Sequence, residues 1–192
     1  MPSKTAYVLL LDGYADWEPA SAMAELRRTF GYSVLTMGLN SEAIISMGGL
    51  KVTPDLSLSR FSPEMAAILV LPGGDAWVTR EFSHVSKTVL ATVGQGRPVA
   101  AICAGTLALA HAGLLDDRLH TSNGRGFVAK YVRKYHGEHF YRAVPAITDR
   151  LVITANGLAP FAFAAEIFRS LAPERKKDIE FYENLYSKGL LD

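Results

Sequence analysis

One cysteine occurs in this 192-residue chain, and its surroundings carry the strongest chemical signal in it. In Pro98-Val99-Ala100-Ala101-Ile102-Cys103-Ala104-Gly105-Thr106, small apolar residues of strand character run into Cys103, and Leu107–Ala112 reads as a helix beyond it. A strand that turns sharply into a helix strains its corner residue. It lifts that side chain above the carboxyl edge of the sheet and sets backbone N–H groups of the new helix beside it. Ala104 and Gly105 are the small neighbours that such a turn requires. Ala101-x-Cys103-x-Gly105 is therefore a cysteine form of the nucleophile elbow, a geometry suited to attack on a carbonyl carbon. A free cysteine is also among the most buried residue types, so the elbow becomes a site only if other groups converge on it.

Two other strand ends offer such groups. The apolar run Ala6–Leu11 ends in Asp12-Gly13, with Asp16 and Glu18 just beyond, and Ala66–Leu71 ends in Pro72-Gly73-Gly74-Asp75, with Trp77 next. Ligands of open parallel sheets collect outside the carboxyl ends of the strands, where these segments and Cys103-Ala104 are expected to meet. Glu18 has a second reading, since a carboxylate at a helix start stabilises the helix dipole by about 0.3–1 kcal/mol with no chemistry involved. Asp75 and Trp77 read equally as a pocket rim or as a helix cap and a packed aromatic. His136-Gly137-Glu138-His139 lacks the helical spacing of His-Glu-x-x-His and reads as a polar loop. His111, two turns into the elbow helix, reads as a packed or surface residue, His84 carries no signal, and Gly73-Gly74 lacks the Gly-Lys-Ser/Thr of a phosphate loop. No cofactor and no metal site are implied.

The elements that must position these residues follow from the hydrophobic pattern. Ala6–Leu11 suits a strand buried on both faces. Pro19 fits a first helical position with Glu18 at the cap, Met23, Leu26 and Phe30 mark the buried face of that helix, and Gly31 closes it. Tyr32–Met37 is a second strand, residues 40–62 hold a hairpin or edge excursion, Ala66–Leu71 is a strand, and a helix covers about 82–94. After Gly113 come a short strand at Leu119–Asn123, a helix over Gly126–Tyr135, and a strand pair at Ala143–Thr148 and Leu151–Ala155. An apolar helix then runs from Pro160 to Leu171, and a last one starts at Pro173. Strands alternating with helices predict right-handed crossovers and a doubly wound, mostly parallel α/β sheet with helices on both faces, in one domain over residues 1–192.

Composition narrows the function classes. Lys+Arg 20 against Asp+Glu 19 gives a net charge of +1, with no basic block for nucleic acid and no acidic tail. A single Cys excludes an intrachain disulfide framework and an all-cysteine zinc site. No charged leader with a cleavage site precedes the first strand, and no apolar run approaches the roughly 20 residues that span a bilayer. A cytoplasmic protein acting on a small molecule, without nucleic-acid or membrane partners, is expected.

Asp-Trp-Glu18-Pro, Leu-Pro-Gly-Gly74, Ala-Ile-Cys103-Ala-Gly, Asp-Asp-Arg118-Leu-His-Thr-Ser122 and Ile153-Thr-Ala-Asn-Gly157 together resemble the PfpI superfamily, over about the whole chain. That superfamily comprises intracellular cysteine proteases and amidases and deglycase- and glyoxalase-type stress proteins, on a flavodoxin-like, class I glutamine amidotransferase-like fold. The resemblance implies Cys103 as nucleophile, Glu18 as the carboxyl hydrogen-bonded to its sulfur, the Gly74 and Ala104 amides as an oxyanion hole, and a homodimer. Family members carry a histidine directly after the cysteine or about twenty residues on. Here those positions hold Ala104 and Asn123, and His120, three residues before Asn123, is expected on the opposite face of its strand. Asn123, Asp75 and Trp77 are candidate pocket residues. A cysteine without a dyad histidine lacks a proton shuttle, though a helix N-terminus and a protonated Glu18 can support its thiolate. The expected function is a cysteine-dependent hydrolase or amidase. The alternative is an oxidative or electrophile stress sensor, or a chaperone-like protein, using the same cysteine without turnover.

Overall fold

The computed structural model describes residues 4–80 and 82–188; the reading of Met1–Ser3 lies outside it. In chain order the strands and helices are β1 (Thr5–Leu9), α1 (Trp17–Arg28), β2 (Ser33–Gly38), β3 (Ile44–Ile45), β4 (Lys51–Val52), β5 (Leu56–Ser57), β6 (Ile68–Leu71) and α2 (Ala76–Thr79). They continue with α3 (Ser83–Gly94), β7 (Val99–Ile102), α4 (Thr106–His111), α5 (Phe127–Tyr131), β8 (Ala146–Asp149), β9 (Val152–Ala155), α6 (Pro160–Leu171) and α7 (Lys176–Lys188). Seven strands form one sheet in the order β5-β2-β1-β6-β7-β9-β8. All its pairings are parallel except β8 with β9. This is the doubly wound, mostly parallel arrangement that the sequence predicts.

The central strands bury both faces, and their period of two sorts side chains into two cores. Tyr7, Leu9, Leu69, Leu71, Val99 and Ala101 pack with Val85 and Val89 of α3 and with Leu107 and Leu109. Ala6, Val8, Ile68, Val70, Ala100 and Ile102 face the other way, onto Leu26 of α1 and Phe163, Ile167 and Phe168 of α6. Cys103 follows the last of these alternating positions and touches both cores. It therefore sits where the two faces meet at the sheet's carboxyl edge.

Several boundaries differ from the sequence reading. Helix α1 begins at Trp17 after Asp16, so Glu18 lies inside the first turn instead of at the cap. Proline lacks a donor, and first-turn N–H groups have no intrahelical acceptor, so Pro19 is accommodated two positions further in. Residues 40–62 contain both readings at once: a β3–β4 antiparallel hairpin and an edge strand, β5, parallel to β2. Leu119–Asn123 is no strand but an extended segment with one bridge, His120 to Tyr141. The helix expected over Gly126–Tyr135 is only the short α5, entered through left-handed Gly126 at φ 84°. The last helix starts at Lys176, three residues after Pro173.

Candidate active site

Cys103 has φ 58°, the left-handed region that an L-residue with a side chain occupies only at a cost. The surroundings hold it there. Thr106 Oγ1 donates to the Cys103 carbonyl at 2.6 Å and lies 2.7 Å from Ser122 Oγ. Because the Thr106 proton is used on that carbonyl, Ser122 must be the donor between the two hydroxyls. Gly105 lies so close beneath β6 that an added Cβ would be 2.3 Å from the Leu71 carbonyl oxygen. Only glycine fits there, which gives the Cys-x-Gly spacing its physical basis.

Glycines also let three segments close around the sulfur. A Cβ on Gly73 would sit 2.9 Å from Cys103 Sγ and 2.8 Å from Glu18 Oε2, and one on Gly157 would again sit 2.9 Å from Sγ. The Gly73 amide donates to Glu18 Oε2, fixing a carboxyl that is 1% exposed. Glu18 Oε1 makes no hydrogen bond of regular geometry, and the Cys103 thiol meets the carboxyl as a looser donor. Burial, only partly offset by the Gly73 and Cys103 hydrogen bonds, raises the Glu18 pKa above the ordinary carboxyl value.

On the opposite side, Asn123 Nδ2 donates to Cys103 Sγ at 3.0 Å. The Gly157 amide donates to Asn123 Oδ1 at 2.9 Å, which fixes the orientation of the side-chain amide and keeps its NH2 on the sulfur. Asn123 is carried there by the extended segment before it. Leu119 N donates to Asp149 Oδ2 and Thr121 N to Thr154 Oγ1, while Thr121 Oγ1 donates to the Val144 carbonyl. The sulfur is thus held between a carboxyl acceptor and an amide donor. Burial pushes the Cys103 pKa up to about 11; the Asn123 and Ala104 N–H groups oppose this, and the charge and hydrogen bond of Glu18 add to it. The resting group at neutral pH is the thiol, not the thiolate expected of a dyad cysteine.

The other candidates fall in different places. The Gly74 backbone packs on Gly13-Tyr14, bridging Tyr14 at the mouth of β6, while Ala104 follows the cysteine and its amide reaches Sγ. Asp75 and Trp77 do not line the cavity at Cys103, contrary to the pocket reading. Trp77 is buried in the core, donating from its indole nitrogen to the Pro72 carbonyl and edge-on to Phe82, and Asp75 is exposed at the start of α2. His120 points away from the sulfur. It is fully buried, with Nδ1 at 2.8 Å from the Arg118 carbonyl and Nε2 at 2.7 Å from the Tyr135 hydroxyl. Desolvation holds its pKa below the usual value. His136 lies on the loop beyond α5 and His139 in the 3-10 turn Glu138–Phe140 that follows, and neither lines the cavity. Among the described residues no three His, Cys, Asp or Glu side chains cluster as metal ligands, and no helix is long and apolar enough to cross a membrane.

The cavity above Cys103 has a volume of about 660 Å³ and is walled by Trp17, Tyr141, Val144, Pro145 and Leu158, with Glu18, Ser122, Asn123 and Asn156 as its polar side chains. Sequence reasoning missed most of this wall. Gly157 stood in the Ile153–Gly157 stretch and Trp17 beside Glu18, but nothing in the linear pattern tied Tyr141, Val144 or Leu158 to the cysteine.

Comparison with known proteins gives a consistent picture. Residues 4–170 match the model of the DJ-1/PfpI family. The chain is 35% identical to the uncharacterized protease YoaZ of Bacillus subtilis over 178 residues, covering 89% of this chain and 85% of that protein. It is 30% identical over 119 residues to the deglycase TK1284 of Thermococcus kodakarensis, covering 60% of this chain and 69% of the other. Its fold superposes on the crystal structure of a thiJ/pfpI family protein from Bacillus anthracis with a TM-score of 0.90, at 33% identity, over 99% of this chain and 93% of that one.

Proposed function

The chain belongs to the DJ-1/PfpI family, and from that premise we propose that it is a cysteine-dependent hydrolase of small amide or carbonyl substrates with Cys103 as nucleophile and Glu18 as its base. The observation that carries this reading is the buried Glu18 carboxyl held against the thiol by the Gly73 amide. A thiol with a pKa near 11 is a weak nucleophile unless its proton leaves as the sulfur attacks. A carboxylate whose basicity burial has raised is suited to take that proton.

Sγ bonds to the substrate carbonyl carbon, the S–H proton passes to a Glu18 oxygen, and the carbonyl π pair moves onto oxygen. The Gly74 and Ala104 amides are the candidate donors for that oxyanion, each such donor being worth roughly 2.7–4 kcal/mol where it has been measured. Collapse then expels the amine, which takes the proton back from Glu18, and leaves a thioester. Water attacks the thioester with Glu18 again as base and restores the thiol. Asn123 orients the sulfur and stabilises its charge, but an amide cannot carry a proton.

The test is turnover of a panel of small amides, thioesters and aldehydes by wild type, Cys103→Ser and Glu18→Gln. Loss of all turnover in Cys103→Ser, and a fall of about 10²–10⁴ in Glu18→Gln, is expected. Turnover that survives in Cys103→Ser rejects the proposal.

One observation favours a second reading, the stress sensor. The Asn123 and Ala104 N–H groups aimed at Sγ would also stabilise an oxidised sulfur. Each of two peroxide molecules would transfer one oxygen to Sγ and leave as water, giving a sulfinic acid hydrogen-bonded to Glu18. A protein that turns nothing over yet gains two oxygens on Cys103 under mild peroxide would support this reading against the hydrolase.

A further inference from the structure

Leu158 is 96% exposed and Trp17 is 53% exposed, yet both line the cavity above Cys103. Large apolar side chains left in water need a reason when they cluster at the mouth of a cleft. Their backbones are fixed where they stand. Trp17 opens α1 immediately before the buried Glu18. Leu158 is held by its own amide donating to Asn156 Oδ1 at 3.0 Å, and its neighbour Gly157 donates to Asn123 Oδ1. Each exposed apolar residue is thus joined, by one peptide bond, to a residue that touches or frames the sulfur. Val144, 37% exposed, and the Tyr141 ring complete the wall between them. Among the described residues no Lys, Arg or His lines this cavity, the Arg125 guanidinium lying over the Tyr141 ring 5.3 Å from its centroid, and the one ionisable carboxyl of the lining, Glu18, is buried.

We propose that Trp17 and Leu158 are the two jaws of an apolar clamp that selects uncharged substrates carrying an aromatic or branched aliphatic group next to the reacting carbonyl, and that disfavours anionic ones. The proposal rests on the reading of Cys103 as the reacting group. A carboxylate or phosphate on the substrate would enter a cleft whose lining holds the Glu18 carboxyl and no cation, the Arg125 guanidinium being engaged on the Tyr141 ring, and its desolvation would be poorly compensated. An aryl or branched alkyl group would displace water from Trp17, Val144 and Leu158, surface that is already exposed and held in place. The roughly 660 Å³ of the cleft is more space than a two- or three-carbon aldehyde fills.

The probes are three alkylating reagents that share one reaction: Sγ bonds to carbon, iodide leaves and the thiol proton goes to solvent. They are iodoacetamide, N-benzyl-iodoacetamide and iodoacetate, and modification of Cys103 is followed by intact mass at one pH. In wild type the benzyl amide is expected to react at least about tenfold faster than iodoacetamide, the smallest factor that apolar pocket contacts give, with saturation at rising concentration. Iodoacetate is expected to be slower than both, relative to their rates with a free thiol. In Trp17→Ala and in Leu158→Ser the ratio of benzyl amide to iodoacetamide rates is expected to fall toward its free-thiol value; any change in the intrinsic reactivity of the thiol cancels in that ratio. Equal relative rates for the three reagents in wild type, or an undiminished ratio in both variants, would overturn the clamp. Turnover assays fail independently: a preserved ratio with no turnover by wild type rejects the hydrolase and leaves the clamp standing.

Discussion

At the scale of residues, the sulfur of Cys103 is governed by two neighbours pulling in opposite directions. The negative charge and acceptor oxygen of Glu18 raise its pKa, and the Asn123 N–H lowers it. Replacing Glu18 by Gln removes the charge, so the thiol pKa should fall and iodoacetamide modification at pH 8 should quicken, although burial, the largest cause, keeps the pKa above its ordinary value. If Glu18 is the base of the proposed hydrolase, turnover should fall in the same variant. The two readouts moving apart would separate Glu18 as a base from Glu18 as a mere structural partner. Asn123→Ala should act oppositely on the thiol, raising its pKa and slowing alkylation. Asn123→His should place an imidazole where the amide stands and raise turnover, with a new dependence on pH near the histidine range; an unchanged pH profile would show that the ring does not reach the sulfur.

At the scale of elements, the site exists because glycines allow β6, β7 and the β9–α6 turn to approach one another. Gly105→Ala would push a Cβ into the Leu71 carbonyl, and the clash is with backbone that cannot rotate away. A loss of about 1–3 kcal/mol or more in urea unfolding is expected. Gly157→Ala would instead meet Sγ and Glu18 Oε1. It should cost activity more than stability, because Sγ and Oε1 are the ends of side chains that can shift, and the shift displaces the sulfur of the proposed nucleophile. Similar losses of stability and of activity in the two variants would contradict this division. The extended segment Leu119–Ser122 has a comparable part. His120, Thr121 and Ser122 are all buried: His120 bonds to the Arg118 carbonyl and the Tyr135 hydroxyl, Thr121 to Thr154 and the Val144 carbonyl, and Ser122 to Thr106, and this brings Ser122 and Asn123 to the cavity wall.

At the scale of the whole molecule, burying Glu18 with a raised pKa has a cost that depends on pH. Between the unfolded carboxyl value and the higher folded value, the native state binds more protons than the unfolded state, so stability falls as pH rises through that window. The Cys103 thiol repeats the effect from its ordinary value of 9.0 up to about 11. Glu18→Gln should therefore be more stable than wild type at neutral pH, and the difference should shrink as pH is lowered below the ordinary carboxyl range. Thermal unfolding at pH 4 and pH 7 reads this directly, and a variant less stable than wild type at pH 7 would indicate that the carboxylate is held by more favourable contacts than its surroundings reveal. A fold that bears this penalty at its sheet edge is organised for the site at some expense to stability.

The sequence by itself determined the doubly wound sheet and the corner at Cys103. Both are written in local periodicity: continuous apolar runs at Ala6, Ala66 and Val99, and a Cys-x-Gly turn that only a close strand–helix approach requires. The sequence also brought Glu18 and Gly74 to the same edge, because parallel strands place their carboxyl ends together. It did not determine where α1 starts, since Asp16, Trp17 and Glu18 all accept a first-turn position. It placed Asp75 and Trp77 by adjacency to Gly74, whereas the turn into α2 sends the indole into the core. It named Asn123 as a candidate pocket residue, which the hydrogen bond to the sulfur agrees with, but it did not show that Trp17, Tyr141, Val144 and Leu158 form one wall. Trp17 stands more than a hundred positions before Tyr141, Val144 and Leu158 in the chain, and only the packed fold, through long-range contacts that no local pattern encodes, decides which of them share a cavity.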